Sequence, residues 1–99
     1  MADGIIFDPL SLADVRNNPD RLSQAQRIAL VRAEQRRTWS GGQRTTVEEL
    51  IRRYPALQGD TEAIIDLAYN EYVLRSEHGE TVDPDEYLRR FPNHAEALR

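Results

Sequence analysis

The chain has no cysteine and no lysine, and only one tryptophan, one methionine and two histidines in 99 residues. Each shortage excludes something. Without cysteine there are no disulfides and no thiolate metal sites. Without lysine there is no phosphate-loop lysine, no ATP-pairing lysine of a kinase and no Schiff base; all 13 basic residues are arginine. His78 and His94 do not share the i, i+4 spacing of a helical metal pair, so neither a metal nor any other cofactor is expected. No apolar run approaches the ~20 residues that a bilayer span needs. Ile5-Ile6-Phe7 is too short for a secretory signal, and no basic residue precedes it. A cytoplasmic setting without membrane contact is the expectation. A formal net charge of −4 argues against nucleic acid as a partner, because phosphate binding needs a basic surface.

What the chain does have is an internal repeat. Glu49-Leu50-Ile51-Arg52-Arg53-Tyr54-Pro55 returns as Glu86-Tyr87-Leu88-Arg89-Arg90-Phe91-Pro92, an offset of 37 residues (86 − 49). The same offset pairs Ile28 with Ile65, Leu30 with Leu67, Glu34 with Glu71 and Gly42 with Gly79. A period in this range marks one supersecondary unit stacked on its copy. The unit reads long helix, Gly turn, short helix, aromatic-Pro stop. The expected fold is therefore all-α: two stacked long-helix/short-helix units, about 19–56 and 57–99, after a less regular segment 1–18.

Local signals place the elements. Asp8-Pro9 turns the chain, and Ser11 caps a short helix over Leu12-Ala13-Asp14-Val15. Asn18 followed by Pro19 predicts the start of the first long helix, which runs to about Trp39 and closes at Gly41-Gly42. Thr46 with Glu49 forms a capping box for the first short helix, and Pro55 ends it at Tyr54. Leu57 plugs the core from the following loop. Thr61 to about Glu77 is the most apolar helix, hence the central one. Asp83-Pro84-Asp85-Glu86 opens the second short helix, stopped by Pro92, and Asn93-His94-Ala95-Glu96 opens one more. Ile28, Leu50, Ile51, Ile64, Leu67, Leu88 and Phe91 are expected to be buried, with Tyr54 and Phe91 in equivalent places.

Catalytic chemistry finds no support. Asp and Glu fall at helix starts and solvent faces, and no pair is set apart as acid and base. Ser11, Ser23, Ser40 and Ser76 lack a nucleophile elbow. Protein contact is the remaining class, with Trp39, Tyr69, Tyr72, Arg36 and Arg37 as its candidates. Trp and Tyr are enriched at interface hot spots, so Trp39, Tyr69 and Tyr72 read either as core or as a partner groove. The pairs Arg36-Arg37, Arg52-Arg53 and Arg89-Arg90 read either as solvated faces paired with Glu or as a dock for an acidic or phosphorylated segment. In the 37-residue register Trp39 matches Ser76, and Arg36-Arg37 match Val73-Leu74. Fold symmetry therefore does not require these three, which singles them out as a contact with another protein, a second copy or an acidic client. The alternative is that Trp39 caps the local core.

Two phrases carry a family resemblance: Thr61-Glu62-Ala63-Ile64-Ile65-Asp66-Leu67-Ala68-Tyr69-Asn70-Glu71 and Asp85-Glu86-Tyr87-Leu88-Arg89-Arg90-Phe91-Pro92. Together with the Trp-ended helix and the Val47-to-Pro55 phrase, they resemble the region preceding the catalytic domain in planctomycete-type bacterial serine/threonine protein kinases. The likeness spans about Ala33 to Leu98. Ala68-Tyr69 departs from the Ile-Tyr usual there, which makes a smaller core residue. The resemblance implies a non-catalytic regulatory or protein-interaction module upstream of a kinase domain. No Gly-rich phosphate loop, His-Arg-Asp or Asp-Phe-Gly occurs, so no kinase active-site residue carries over. The alternative is a self-standing helical-repeat adaptor or oligomerisation module that binds a peptide or protein.

Overall fold

Short polar residues placed just ahead of apolar-periodic runs decide where the helices begin. In the computed structural model, which describes residues 11–98, Ser11 precedes α1 (Leu12–Asn17), and its backbone N–H bonds Asp14 Oδ2 at 2.9 Å. Thr46 opens α3 (Val47–Arg53), its hydroxyl accepting the Glu49 N–H at 3.2 Å. Asp60 does the same for Ala63 at the start of α4 (Thr61–Glu77). Two short helices follow, α5 (Asp85–Arg90) and α6 (Ala95–Leu98). Among the described residues all regular structure is helical, an all-α fold. The expectations resting on Ile5 to Pro9 lie outside the described residues.

One start differs from the sequence expectation. Pro19 opens only a 3-10 turn, Pro19–Arg21, and α2 (Gln24–Ser40) begins after a break at Leu22 and Ser23. The cause is a better capping box: Ser23 Oγ accepts the Gln26 N–H, and Gln26 Oε1 accepts the Ser23 N–H at 2.8 Å. Arg27 reaches back to the carbonyls of Pro19 and Leu22, holding the turn against α2.

α2 and α4 pack side by side, and their cross-links climb both helices together. Gln24 meets Asp60, Arg32 meets Asp66, Gln35 and Arg36 meet Asn70, and beyond the helix ends Arg44 meets Glu80. Numbers rising in step mean that the helices run parallel. α3 and α5 then return the chain beneath them. α4 also packs on α3 and α6, as its wide apolar arc predicts. Leu50, Leu57 and Leu67 are fully buried between these elements, each contributing about 1.5–3 kcal/mol by burial. Ile64 and Phe91 join them, as expected. Ile28, Ile51 and Leu88 are half-buried instead. Ile28 and Ile51 sit at the rim of the core rather than inside it.

Several features stand 37 residues apart. α2 (24–40) and α4 (61–77) have bounds shifted by that amount, as do the 3-10 turns Pro55–Leu57 and Pro92–His94. Tyr54 and Phe91 end their helices with nearly the same backbone, φ −126 and −127. Gly42 (φ 88) and Gly79 (φ 86) close the long helices in the left-handed region that only glycine adopts cheaply.

Candidate functional site

Two surfaces compete for a functional role, and the first is a cluster of charges where α3, α4 and α5 meet. Glu71 on α4 is only 2% exposed. Its carboxylate accepts the Val47 N–H at the start of α3 (2.9 Å), the Tyr87 hydroxyl (2.9 Å) and Arg90 Nη1 (2.6 Å). Arg90 also forks onto Glu48, while Arg75 holds Glu86 through two bonds of 2.7 and 3.2 Å and Glu80 through one of 3.1 Å. The Arg90 guanidinium lies over the Tyr87 ring at 4.8 Å.

This arrangement corrects the expectation that the acids lie at helix starts and solvent faces. Glu34 and Glu71, one register apart, are both buried mid-helix. They are sustained there because Arg53 and Arg90, also one register apart, reach across to them. Arg90, like Arg75, is correspondingly not a solvated surface residue; each side chain is 19% exposed. The recurring Glu34/Glu71 pair was the sequence signal for this ion pair.

The electrostatics suit bracing rather than proton transfer. At Glu48 burial pushes the carboxyl up, but the Arg90 hydrogen bonds and charge together hold it below its ordinary value. Glu86 is lowered chiefly by its bonds from Arg75. Burial is the main reason that the Tyr87 phenol is pushed up to about 12. None of these groups is poised near neutrality, as a general acid or base requires. Among the described residues no group of three or more His, Asp or Glu is placed to hold a metal ion.

Trp39 belongs to the inside. It is 4% exposed, its indole N–H donates to the Thr45 carbonyl at 3.2 Å, His78 meets it edge-on at 5.3 Å and Arg44 lies 5.5 Å from the ring centre. Of the two readings, core holds for Trp39, and the alternative, a groove shared by Trp39, Tyr69 and Tyr72, does not form. Trp39 lines the cleft beside the charge cluster, and the two tyrosines line a different one. Arg37 is exposed but bonded to Glu34 at 2.7 Å. Arg36 is exposed and bonds the neutral amide oxygen of Asn70 at 3.2 Å.

The second surface is built on α4. Tyr69 is 70% exposed, alone among the described large hydrophobic side chains. To one side of it, Ile65, Ala68 and Tyr72 form an apolar groove of about 260 Å³ with Pro84 and Leu98. Tyr72 meets Tyr87 edge-on at its floor. To the other side Tyr69 and Ile65 border a second hollow with Arg32 and Arg36 of α2. Tyr69 is thus a ridge with an apolar flank and a basic flank. Unlike the charge cluster, this face leaves apolar surface without a partner among the described residues. Comparison with protein-family models, with curated proteins and with solved structures finds no match for this chain.

Proposed function

We propose that this chain is a non-catalytic interaction module, built as two copies of one helical unit, of the kind that precedes a bacterial serine/threonine kinase domain. The observation that carries the reading is the Tyr69 ridge: a large aromatic, 70% exposed, beside an apolar groove. Exposed apolar surface of this sort marks contact sites. The resemblance of 33–98 to the regions before such kinase domains supplies the context, and the setting that follows is cytoplasmic. The partner is a protein: the kinase domain, a second copy or an acidic client, met through Tyr69, Tyr72 and Arg36. Trp39 is tied into the core and Arg37 is bonded to Glu34, so neither belongs to that surface. The parallel α2 and α4, with bounds 37 residues apart, favour a helical-repeat adaptor as the second reading.

The test uses the chain with a bacterial serine/threonine kinase catalytic domain of the resembled type. Alone with ATP and magnesium, the chain gives no phosphotransfer and no thermal shift. Added to the kinase domain, it changes the rate of autophosphorylation, and Tyr69→Ala removes the change without lowering Tm. Phosphotransfer by the chain alone, or an autophosphorylation rate that it leaves unaltered, overturns the reading.

A further inference from the structure

α4 turns about 100° per residue, which places Ile65, Tyr69, Tyr72 and Ser76 within one strip about 60° wide. The strip has unlike borders. On the groove side Pro84 stands between Asp83 and Asp85, both exposed; Arg89 lies 3.8 Å from Asp83 as a solvent-exposed pair, and Asp85 has no arginine bonded to it among the described residues. On the α2 side stand Arg32 and Arg36. Arg32 already pairs with Asp66 at 2.9 Å. Arg36 has only the neutral Asn70 amide as its bonded partner among the described residues, with no carboxylate against it.

We infer that this strip is the contact between two copies of the chain, α4 against α4 and running parallel. The inference rests on the interaction reading above and names its partner. Two copies meeting by the same patch are related by a two-fold axis between them. If the axis crosses the helices, they run antiparallel, and the Arg flank of one copy faces the Arg flank of the other. If the axis runs along the helices, they are parallel, and each Arg flank faces the other copy's acidic flank. Only the parallel arrangement sets Arg36 against the partner's Asp83 and Asp85. The heights agree, because Asn70, which holds Arg36, and Tyr72, which shares the groove with Pro84, lie two residues or about 3 Å apart along the axis. The Tyr69 and Ile65 side chains then close on their own copies at the centre. The patch is self-complementary in charge as well as apolar, which favours a second copy over an unrelated partner.

The full chain tests this by sedimentation equilibrium at low salt over a wide concentration range, and by oxidative cross-linking. The chain should form a dimer. Tyr69→Glu should raise its dissociation constant about tenfold or more, the loss of one hot-spot side chain. Arg36→Glu should weaken the dimer, and Arg36→Glu combined with Asp83→Arg and Asp85→Arg should restore it. Because the chain has no cysteine, Ser76→Cys reports orientation cleanly. Parallel helices bring residue 76 to its own copy and yield a cross-linked dimer on a non-reducing gel, whereas antiparallel helices bring it near Glu62 and do not. A monomer at every concentration overturns the inference, as does a dimer that ignores Tyr69→Glu, a failed charge swap, or cross-linking of Ser76→Cys only with Glu62→Cys. A monomer that still alters kinase autophosphorylation through Tyr69 leaves the interaction reading standing. A Tyr69-dependent dimer that leaves the kinase unchanged does the reverse.

Discussion

At the scale of single residues, two glutamates of the same register position sit in different company. Glu71 is 2% exposed and accepts four bonds, from the Val47 N–H, the Tyr87 hydroxyl and both Arg90 Nη1 and Nη2, whereas Glu34 is 9% exposed, held at 2.7 Å by the exposed Arg37 and at 3.9 Å by Arg53. Removing one member of a buried ion pair leaves the other charge stranded, at about 3–5 kcal/mol. Where the arginines stand in solvent, as Arg37 and Arg53 do, water solvates the charge left behind and the pair contributes about 0–1 kcal/mol, even though Glu34 itself is buried. Glu71→Gln should therefore lose about 3–5 kcal/mol in urea unfolding and Glu34→Gln about 1 kcal/mol or less. Equal losses would mean that burial does not set the difference. Trp39→Ala should cost about 3–5 kcal/mol, as for other buried aromatics; a Tm within a degree of the parent would return Trp39 to the surface. The sequence presents both pairs as glutamate and arginine at matched spacing. It does not say which pair α5 will cover, because that depends on where the second short helix lands.

At the scale of elements, the sequence marks most boundaries because the marks are short-range chemistry. Thr46 and the Tyr54-Pro55 and Phe91-Pro92 stops act on backbone groups within a few residues, and the helices begin or end where these signals stand. The start of α2 is the instructive exception. Asn18-Pro19 and Ser23-x-x-Gln26 are both valid starts, and the second prevails through its reciprocal capping box, with Arg27 bonding two carbonyls of the preceding turn. Ser23→Ala removes the hydroxyl acceptor at that start and should cost about 1 kcal/mol, with Thr46→Ala similar. Helicity at 222 nm through the unfolding transition checks both. A Ser23→Ala variant as stable as the parent would show that Pro19, not Ser23, sets the start. The candidate surface was half readable on the same grounds. Periodicity puts Tyr69 and Tyr72 on one arc of α4, but only the positions of α5 and α6 decide that Tyr72 is partly covered while Tyr69 stands free. Trp39 falls on the buried spacing of α2 with Val31 and Gln35, so its core position was readable, whereas the return of Thr45 and Arg44 over it has no mark on the helix itself.

For the molecule as a whole, the charge cluster joins three helices through ionised groups, so stability should follow pH in a definite direction. Glu48 and Glu86 titrate near 4.5 when unfolded and lower when folded. A lowered carboxyl binds fewer protons in the native state, so its contribution is present above about 4.5 and is lost as pH falls through the folded values. Tyr87 runs the other way. Its phenol rises from an ordinary 10 to about 12 in the fold, so its contribution holds below about 10 and is lost as pH climbs toward about 12. The midpoint temperature should therefore be nearly level between these limits and fall on both sides. Glu48→Gln with Glu86→Gln should flatten the acid limb and leave the alkaline one, and Tyr87→Phe should lessen the alkaline limb alone, the remainder belonging to Tyr54, whose phenol burial also raises. Salt should erode the acid limb only in part, since Arg75 and Arg90 are largely shielded while Glu48 and Glu86 are more open. An acid limb that survives the double substitution would place the pH-sensitive joint elsewhere. A level profile down to pH 3 would mean that the three helices are held by their apolar contacts, with the arginines incidental.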